Sequence, residues 1–193
     1  MPRITSGELK GRNLRYPKGK QFRPTMDKVK EALFSILGED IVDARVLDLF
    51  AAAGALGLEA LSRGARQAVF VEQNPQAYKE LEANIRALKV SDRTIVIKQD
   101  VRVYLKQSKF FATHIFCDPP YYYGMAKETL ELLAANPGVT TETLIVLEHA
   151  SDEEIVPPGS LEIKDSREYG DTRLSFIGKK GVFDEDCRLP GHV

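Results

Sequence analysis

A chain of 193 residues with 43% hydrophobic and 28% charged side chains can bury a core of its own but is short for two ordinary domains, which sets aside disordered, collagen-like and disulfide-framework proteins. No run of about 18 apolar residues is present, MPRITSGELKGR offers no stretch for a signal peptide, and Cys117 and Cys187 are too few for a disulfide scaffold or a zinc site, so a soluble cytoplasmic protein is predicted. The net charge of -1 hides a split: residues 1–30 carry nine Lys and Arg against Glu8 and Asp27, while the rest of the chain carries 18 basic and 26 acidic side chains.

In chain order, RITSG and RNLRY, which hold Ile4, Leu14 and Tyr16 and are joined by Glu8-Leu9-Lys10-Gly11, predict a basic β-hairpin. A structured basic head suits a polyanion; a solvated basic end is the plainer alternative. Val29, Ala32, Leu33, Ile36 and Leu37 recur at the spacing of a helix over 26–37 with one buried face, and Thr25 after Pro24 is its expected N-cap. RVLDLF at 45–50 predicts a strand, AAAGALG a loop, and the stretch to Arg63 a helix. A strand at 68–71 follows, then Asn74 and Pro75 as N-cap and first-turn proline of a helix whose Tyr78, Leu81, Ile85 and Leu88 share a face. TIVIK at 94–98, HIFC at 114–117 and TLIVLEH at 143–149 continue the strands, with helices near 101–107 and 125–135. Such alternation predicts an α/β fold: a mostly parallel sheet with helices on both faces. After residue 150, LEIKDSREY at 161–169 and TRLSFIGK at 172–179 flank Gly170-Asp171; a hairpin is antiparallel, so one reversed strand finishes the sheet. The aperiodic end from Gly181 predicts a flexible tail.

Ligands of open α/β sheets bind beyond the carboxyl ends of the strands, and carboxylates recur there. Asp48 lies inside the first strand just before its loop, Glu72 closes the second, Asp100 follows the third and Asp118 closes the fourth. Helix capping by Asp100, or solvation of Glu72, explains either one alone. Together they predict an acidic rim that suits ribose hydroxyls and a positive centre better than a pyrophosphate. Ala52 to Gly57 keeps the G-x-G-x-x-G spacing with Ala in the first place, and Glu72 falls 20 residues beyond Ala52, as a nucleotide-binding βαβ unit requires. That spacing does not separate a nicotinamide-dependent dehydrogenase from an S-adenosylmethionine enzyme. Were residue 52 held at positive φ, alanine would cost on the order of 1 kcal/mol relative to glycine.

Asp118-Pro119-Pro120-Tyr121 favours the S-adenosylmethionine reading. The prolines donate no backbone hydrogen bond, so they end the strand and hold Asp118 and the carbonyls in a stiff turn. A carboxylate and a carbonyl can both accept from an exocyclic NH2, and Tyr121 offers a ring to the base that carries it. His114 and Cys117 stand three apart on one strand, point to opposite faces and cannot share a metal; His149 reads as a strand-end residue and His192 as part of the tail.

RITSGELKGRNL, RPTMDKVKEALFSIL, VLDLFAAAGALGLEALSRGA, VFVEQN, DPPY and YGDTRLSF follow in that order from Arg3 to Lys179. On these the sequence resembles the RsmD family of bacterial small-subunit (16S) rRNA guanine-N2 methyltransferases, within the class I S-adenosylmethionine-dependent superfamily. Ala52 departs from the family's usual glycine. The resemblance implies a Rossmann-like methyltransferase domain over 25–180 with seven strands, the last antiparallel. An RNA-contacting hairpin extension over 1–24 would precede it and a flexible tail over 181–193 would follow. Implied as catalytic groups are Asp118, the Pro119 carbonyl and a base-stacking Tyr121. Implied around S-adenosylmethionine are Asp48, Phe50, Ala52, Gly54, Gly57, Glu72, Gln73, Asp100 and Val101. Among these, Glu72 would meet the ribose, Asp100 or its neighbouring backbone the adenine, and Asp48 with the 52–57 loop the methionine end. Arg3, Lys10, Arg12, Arg15, Lys18, Lys20 and Arg23 would meet RNA. The implied protein is a cytoplasmic monomer acting on 16S rRNA within an assembling small ribosomal subunit, with no metal and no membrane. An adenine-N6 methyltransferase with the same DPPY chemistry and a noncatalytic RNA-binding module are the alternatives.

Overall fold

The computed structural model describes residues 2–17 and 27–181. Its elements run α1 (Asp27–Leu37), β1 (Arg45–Leu49), α2 (Ala55–Ser62), β2 (Gln67–Val71), α3 (Pro75–Leu88), β3 (Thr94–Ile97), α4 (Val101–Gln107), β4 (His114–Cys117), α5 (Met125–Ala135), β5 (Leu144–Ala150), β6 (Leu161–Tyr169) and β7 (Thr172–Lys179). The strands form one sheet in the order β3-β2-β1-β4-β5-β7-β6. Strands β1 to β5 are parallel, with Leu47 of β1 opposite Val69 of β2 and Ile115 of β4. Strand β7 runs antiparallel to both β5 and β6, so a single strand is reversed, as the 161–179 hairpin predicts.

Alternate residues of β1, β2, β4, β5 and β7 feed two separate cores, which is why these strands read as near-continuous apolar runs, while β3 and β6 at the sheet edges are less covered. On one face Val46, Ala68, Phe70, Phe116, Val146 and Phe176 pack with side chains of α1, α2 and α3; on the other Leu47, Val71, Ile115, Cys117, Ile145 and Ile177 pack with α4 and α5. Phe34 of α1 meets Phe116 edge to face at 5.6 Å between ring centres, and burying an aromatic ring of this size contributes about 2–3 kcal/mol. His114 and Cys117 lie three residues apart on β4, on opposite faces of the sheet, and the Cys117 thiol joins the α4–α5 core.

Several sequence readings shift in detail. In α1, Val29, Leu33 and Leu37 are buried as the spacing predicts, but Lys30 and Phe34 complete the face while Ala32 and Ile36 are only partly covered. In α3 the buried face is Ala77, Leu81, Asn84, Ile85 and Leu88. Tyr78 lies half-buried at its edge, hydrogen bonded to Glu82 and beneath the Lys98 ammonium. His149 is a strand-end residue, next to last in β5, and it is buried with Nε2 2.9 Å from Ser175 Oγ of β7. The expected N-cap Thr25 and residues 182–193 of the expected tail lie outside the described residues.

The amino-terminal arm forms one antiparallel bridge, Arg3 with Asn13, instead of two regular strands. Its turn is claimed by α2: the Glu8 and Leu9 N–H groups donate to the carbonyl and hydroxyl of Ser62. Gly7, at φ +79°, permits this approach, since a Cβ there would stand 1.8 Å from the Ser62 oxygen. Ile4 and Leu14 are completely buried in the α1–α2–α3 core. Beneath them the fully buried Glu59 of α2 accepts from the Thr5 N–H, the Thr5 hydroxyl and the Ser6 N–H, and pairs with Lys30 at 3.4 Å and Arg63 at 2.9 Å. Among the described residues no helix is long and apolar enough to cross a membrane.

Candidate active site

The strand order reverses between β1 and β4, which opens a crevice beyond their carboxyl ends, the usual ligand position in open α/β sheets. From β1 the chain enters a turn with Phe50 at φ 60°, Ala52 at φ 47° and Gly54 at φ 82°. Two non-glycine residues in left-handed backbone within three positions mark strain held by the surrounding structure. Two carboxylates hold it. Asp48 accepts the Gly57 N–H at 2.8 Å in the first turn of α2, where a negative charge meets the positive end of the helix. Glu72 accepts the Ala52 N–H at 2.8 Å with one oxygen and the Asn74 N–H at 2.6 Å with the other. The 20-residue separation of Ala52 and Glu72 is therefore a direct hydrogen bond in the fold.

The glycines of this loop answer first to the protein. A Cβ on Gly57 would lie 2.3 Å from the Phe70 ring and 3.0 Å from Asp48 Oδ2, and one on Gly54 would lie 2.5 Å from Leu81. Burial pushes the Asp48 carboxyl up to about 7, against the pull of the Gly57 N–H, with the charge of Glu72 adding to the rise. Burial likewise raises Glu72, opposed by the N–H groups of Asn74, Ala52 and Gln73. Gln73 itself is exposed and Val101 is buried at the start of α4. Asp100 caps α4 through the Arg102 N–H at 2.8 Å, and the Arg102 guanidinium grips both its oxygens at 3.0 and 2.8 Å. Hydrogen bonding to that guanidinium holds the Asp100 carboxyl below the usual range.

Strand β4 delivers Asp118, half-buried, then buried Pro119, exposed Pro120 and half-buried Tyr121. The Tyr121 hydroxyl lies 3.2 Å from Glu148 of β5, to which it donates, and 3.3 Å from Thr172 Oγ1 of β7. Burial and the Glu148 carboxylate raise the phenol, so it stays neutral. The exposed Tyr122, at φ 64°, packs edge-on against Tyr121 and donates to Asp152 at 2.7 Å.

Three site residues escape the sequence reading. Glu148 continues the series of strand-end acids onto a fifth strand, so the same rule finds it once applied to TLIVLEH. Tyr16 reaches the crevice from the arm, where burial and then the charges of Asp118, Asp48, Glu148 and Glu72 raise its phenol. Asn84 shows only as a polar residue on the buried face of α3, and it ties Arg15 to the β1–α2 loop. Carboxylates at the ends of β1, β2, β4 and β5 thus all act on the Tyr16 phenol. Such a rim fits a ligand with a positive centre and vicinal hydroxyls and repels a pyrophosphate. Among the described residues no group of three His, Cys, Asp or Glu is arranged to hold a metal.

The basic residues sit on the arm's outer side. Lys10, Arg12 and Arg15 are exposed; Arg3 lies 3.6 Å from Asp27, and Arg12 donates to the Ala87 carbonyl at 2.8 Å. Lys18, Lys20 and Arg23 lie outside the described residues.

Residues 2–178 match the family described as Conserved hypothetical protein 95. The chain is 40% identical over 146 residues to Ribosomal RNA small subunit methyltransferase D of Escherichia coli strain K12, covering 76% of this chain and 73% of that protein. The solved structure of yhhF from Escherichia coli is 33% identical, superposes with a TM-score of 0.82, and the match covers 92% of this chain and 97% of that one. SMU.776, solved in complex with SAH, shares the fold at 16% identity and a TM-score of 0.65, over 80% of this chain and 50% of that one.

Proposed function

This chain belongs to the RsmD family, and on that premise we propose that it methylates the exocyclic N2 amine of a guanine in 16S rRNA. It is an S-adenosylmethionine-dependent rRNA methyltransferase. The observation that supports an exocyclic amine as the target is the turn after β4, where Asp118 and the rigid Pro119-Pro120 pair stand at the switch-point crevice beside Tyr121, itself tied to Glu148 and Thr172; the choice of guanine over adenine follows the family resemblance.

S-adenosylmethionine, when bound, supplies an electrophilic methyl group on a sulfonium. Glu72, whose oxygens retain lone pairs beside the Ala52 and Asn74 N–H bonds, would take the ribose hydroxyls. Gln73, Asp100 and Val101 would flank the adenine, and Asp48 with the loop from Phe50 through Ala52, Gly54 and Gly57 would flank the methionine end. The Asp100 side chain already caps α4, so its neighbouring backbone would make that contact. Guanine N2 is a poor nucleophile because its lone pair is delocalised into the ring. Asp118 and the Pro119 carbonyl would accept hydrogen bonds from its two N–H groups, which favours a pyramidal nitrogen with an available lone pair and stabilises the positive charge that develops on it. The nitrogen then releases one proton to solvent. Tyr121 stacks the extruded base, and Arg3, Lys10, Arg12 and Arg15, with Lys18, Lys20 and Arg23, attract phosphates. A monomer working on a partly assembled small subunit completes the reading.

Labelled S-adenosylmethionine, incubated with 16S rRNA or assembling small subunits and followed by mass-spectrometric mapping, is expected to give N2-methylguanine at one position. N6-methyladenine as product would replace this assignment with the adenine reading. Asp118→Ala is expected to lower turnover about a hundredfold or more while cofactor Kd stays within about twofold, because its bonds matter chiefly as the amine becomes positive. Near-normal turnover would remove Asp118 from the mechanism.

A further inference from the structure

A buried amide joins the arm to the catalytic crevice. Asn84, 2% exposed, accepts the Arg15 N–H at 2.8 Å and returns a bond from Nδ2 to the Arg15 carbonyl at 2.9 Å. The same Nδ2 donates to the Ala53 carbonyl of the β1–α2 loop at 3.0 Å. Leu14 before this clamp and Pro17 after it are buried, so the backbone that carries Tyr16 is fixed on both sides. Tyr16 is half-buried and its hydroxyl lies within electrostatic reach of Asp118, Asp48, Glu148 and Glu72, one carboxylate from each of four strands.

A phenol is a costly choice at this place if only packing is required, since its hydroxyl must be desolvated among negative charges. Its chemistry supplies what the rim otherwise lacks. Glu72, Asp118, Glu148 and the Pro119 carbonyl are acceptors, suited to N–H groups of a base. A purine also carries acceptor atoms on its ring and carbonyl, and these need a donor. The burial and charges around Tyr16 keep its O–H protonated throughout the neutral range, and the hydroxyl proton can rotate to a new acceptor when a base arrives.

We propose that Tyr16 is a wall of the acceptor pocket, held there by Asn84, and that it touches the target base opposite Tyr121 and donates its hydroxyl to an acceptor atom of that base. This rests on the rRNA reading above. It also makes the arm a part of the active site and not only a phosphate grip.

Steady-state methylation of 16S rRNA by wild type, Tyr16→Phe and Tyr16→Ala, with calorimetric titration of S-adenosylmethionine into each, tests the assignment. Tyr16→Phe is expected to lower kcat/KM for RNA about tenfold and Tyr16→Ala further still, with cofactor Kd within about twofold of wild type in both. Unchanged kcat/KM in both variants would overturn the proposal, as would a parallel loss of cofactor affinity and thermal stability, which marks a packing role. Loss in the alanine variant alone would overturn the hydroxyl's part and leave the ring's. A wild-type protein that leaves the rRNA unmethylated would overturn the underlying reading, and this one with it.

Discussion

Asp48 carries the heaviest electrostatic load of the crevice. Its carboxyl titrates near 7 in the fold because it is buried, against about 3.9 in an unfolded chain. A group whose folded pKa lies above its unfolded value favours the fold most below the unfolded pKa, and that contribution is lost as pH rises through the folded pKa. In ligand-free protein the full loss, on the order of 4 kcal/mol, is reached above about pH 7. Asp48→Asn is therefore expected to be more stable relative to wild type at pH 8 than at pH 5, and thermal melts of the pair across pH would show it; a constant difference would mean that Asp48 does not titrate in this window. By the same logic wild type should bind the sulfonium ligand more tightly as pH rises through about 7, and Asp48→Asn should lose that dependence. At residue 52 the sequence already poses the question, because Gly is usual there and Ala is present. With φ at 47°, Ala52→Gly should relieve on the order of 1 kcal/mol of left-handed strain and keep or tighten cofactor binding; clearly weaker binding by calorimetry would mean that the alanine methyl packs to advantage. The strand-end acids were legible because strand direction fixes where they emerge. Tyr16 and Asn84 were not, because their position depends on contacts 69 residues apart in the chain.

Among the elements, α1 and α2 share the least ordinary bond of the fold, the buried Glu59–Lys30 pair, on which the arm also rests. Glu59→Ala would leave the Lys30 ammonium, 1% exposed, with only Asp27 at 3.7 Å and the Arg3 carbonyl. It would also free the Thr5 and Ser6 amides. A loss of about 3–5 kcal/mol in urea unfolding is expected, with faster hydrogen exchange at Thr5 and Ser6 before the rest of the sheet. Adding Lys30→Met should restore part of it, because the uncompensated charge is then gone. Full stability in Glu59→Ala would show that water reaches Lys30. Periodicity located every α-helix and strand of the body, since the inner strands face two apolar cores and each of these helices one. In the arm, local pattern supplies the antiparallel turn, in which the Ile4 N–H donates to Arg12 and the Gly11 N–H to Ile4, but it does not name Ser62 of α2, which takes the Glu8 and Leu9 N–H groups.

At the scale of the whole molecule, the charge split legible in composition becomes a division of surfaces. The acidic crevice draws a cationic, hydroxyl-bearing cofactor, and the arm carries exposed Lys10, Arg12 and Arg15 on its outer side, yet Ile4 and Leu14 make arm and body one hydrophobic unit. Phosphate attraction and cofactor binding should therefore separate under mutation even though the two surfaces fold together. Replacing Lys10, Arg12 and Arg15 with Gln should weaken RNA binding and flatten its dependence on salt, each lost phosphate contact removing roughly 0.7 to 0.9 from the log-log slope. Among the described residues the side-chain bond they make to the body is that of Arg12 to the Ala87 carbonyl, so the melting temperature should move little. Calorimetry with S-adenosylmethionine should give an unchanged Kd, because the three side chains lie away from the carboxylates of β1, β2, β4 and β5. An RNA affinity and salt slope equal to wild type in the triple variant would show that phosphates are held by a different surface, and that the arm serves the site through Tyr16 alone.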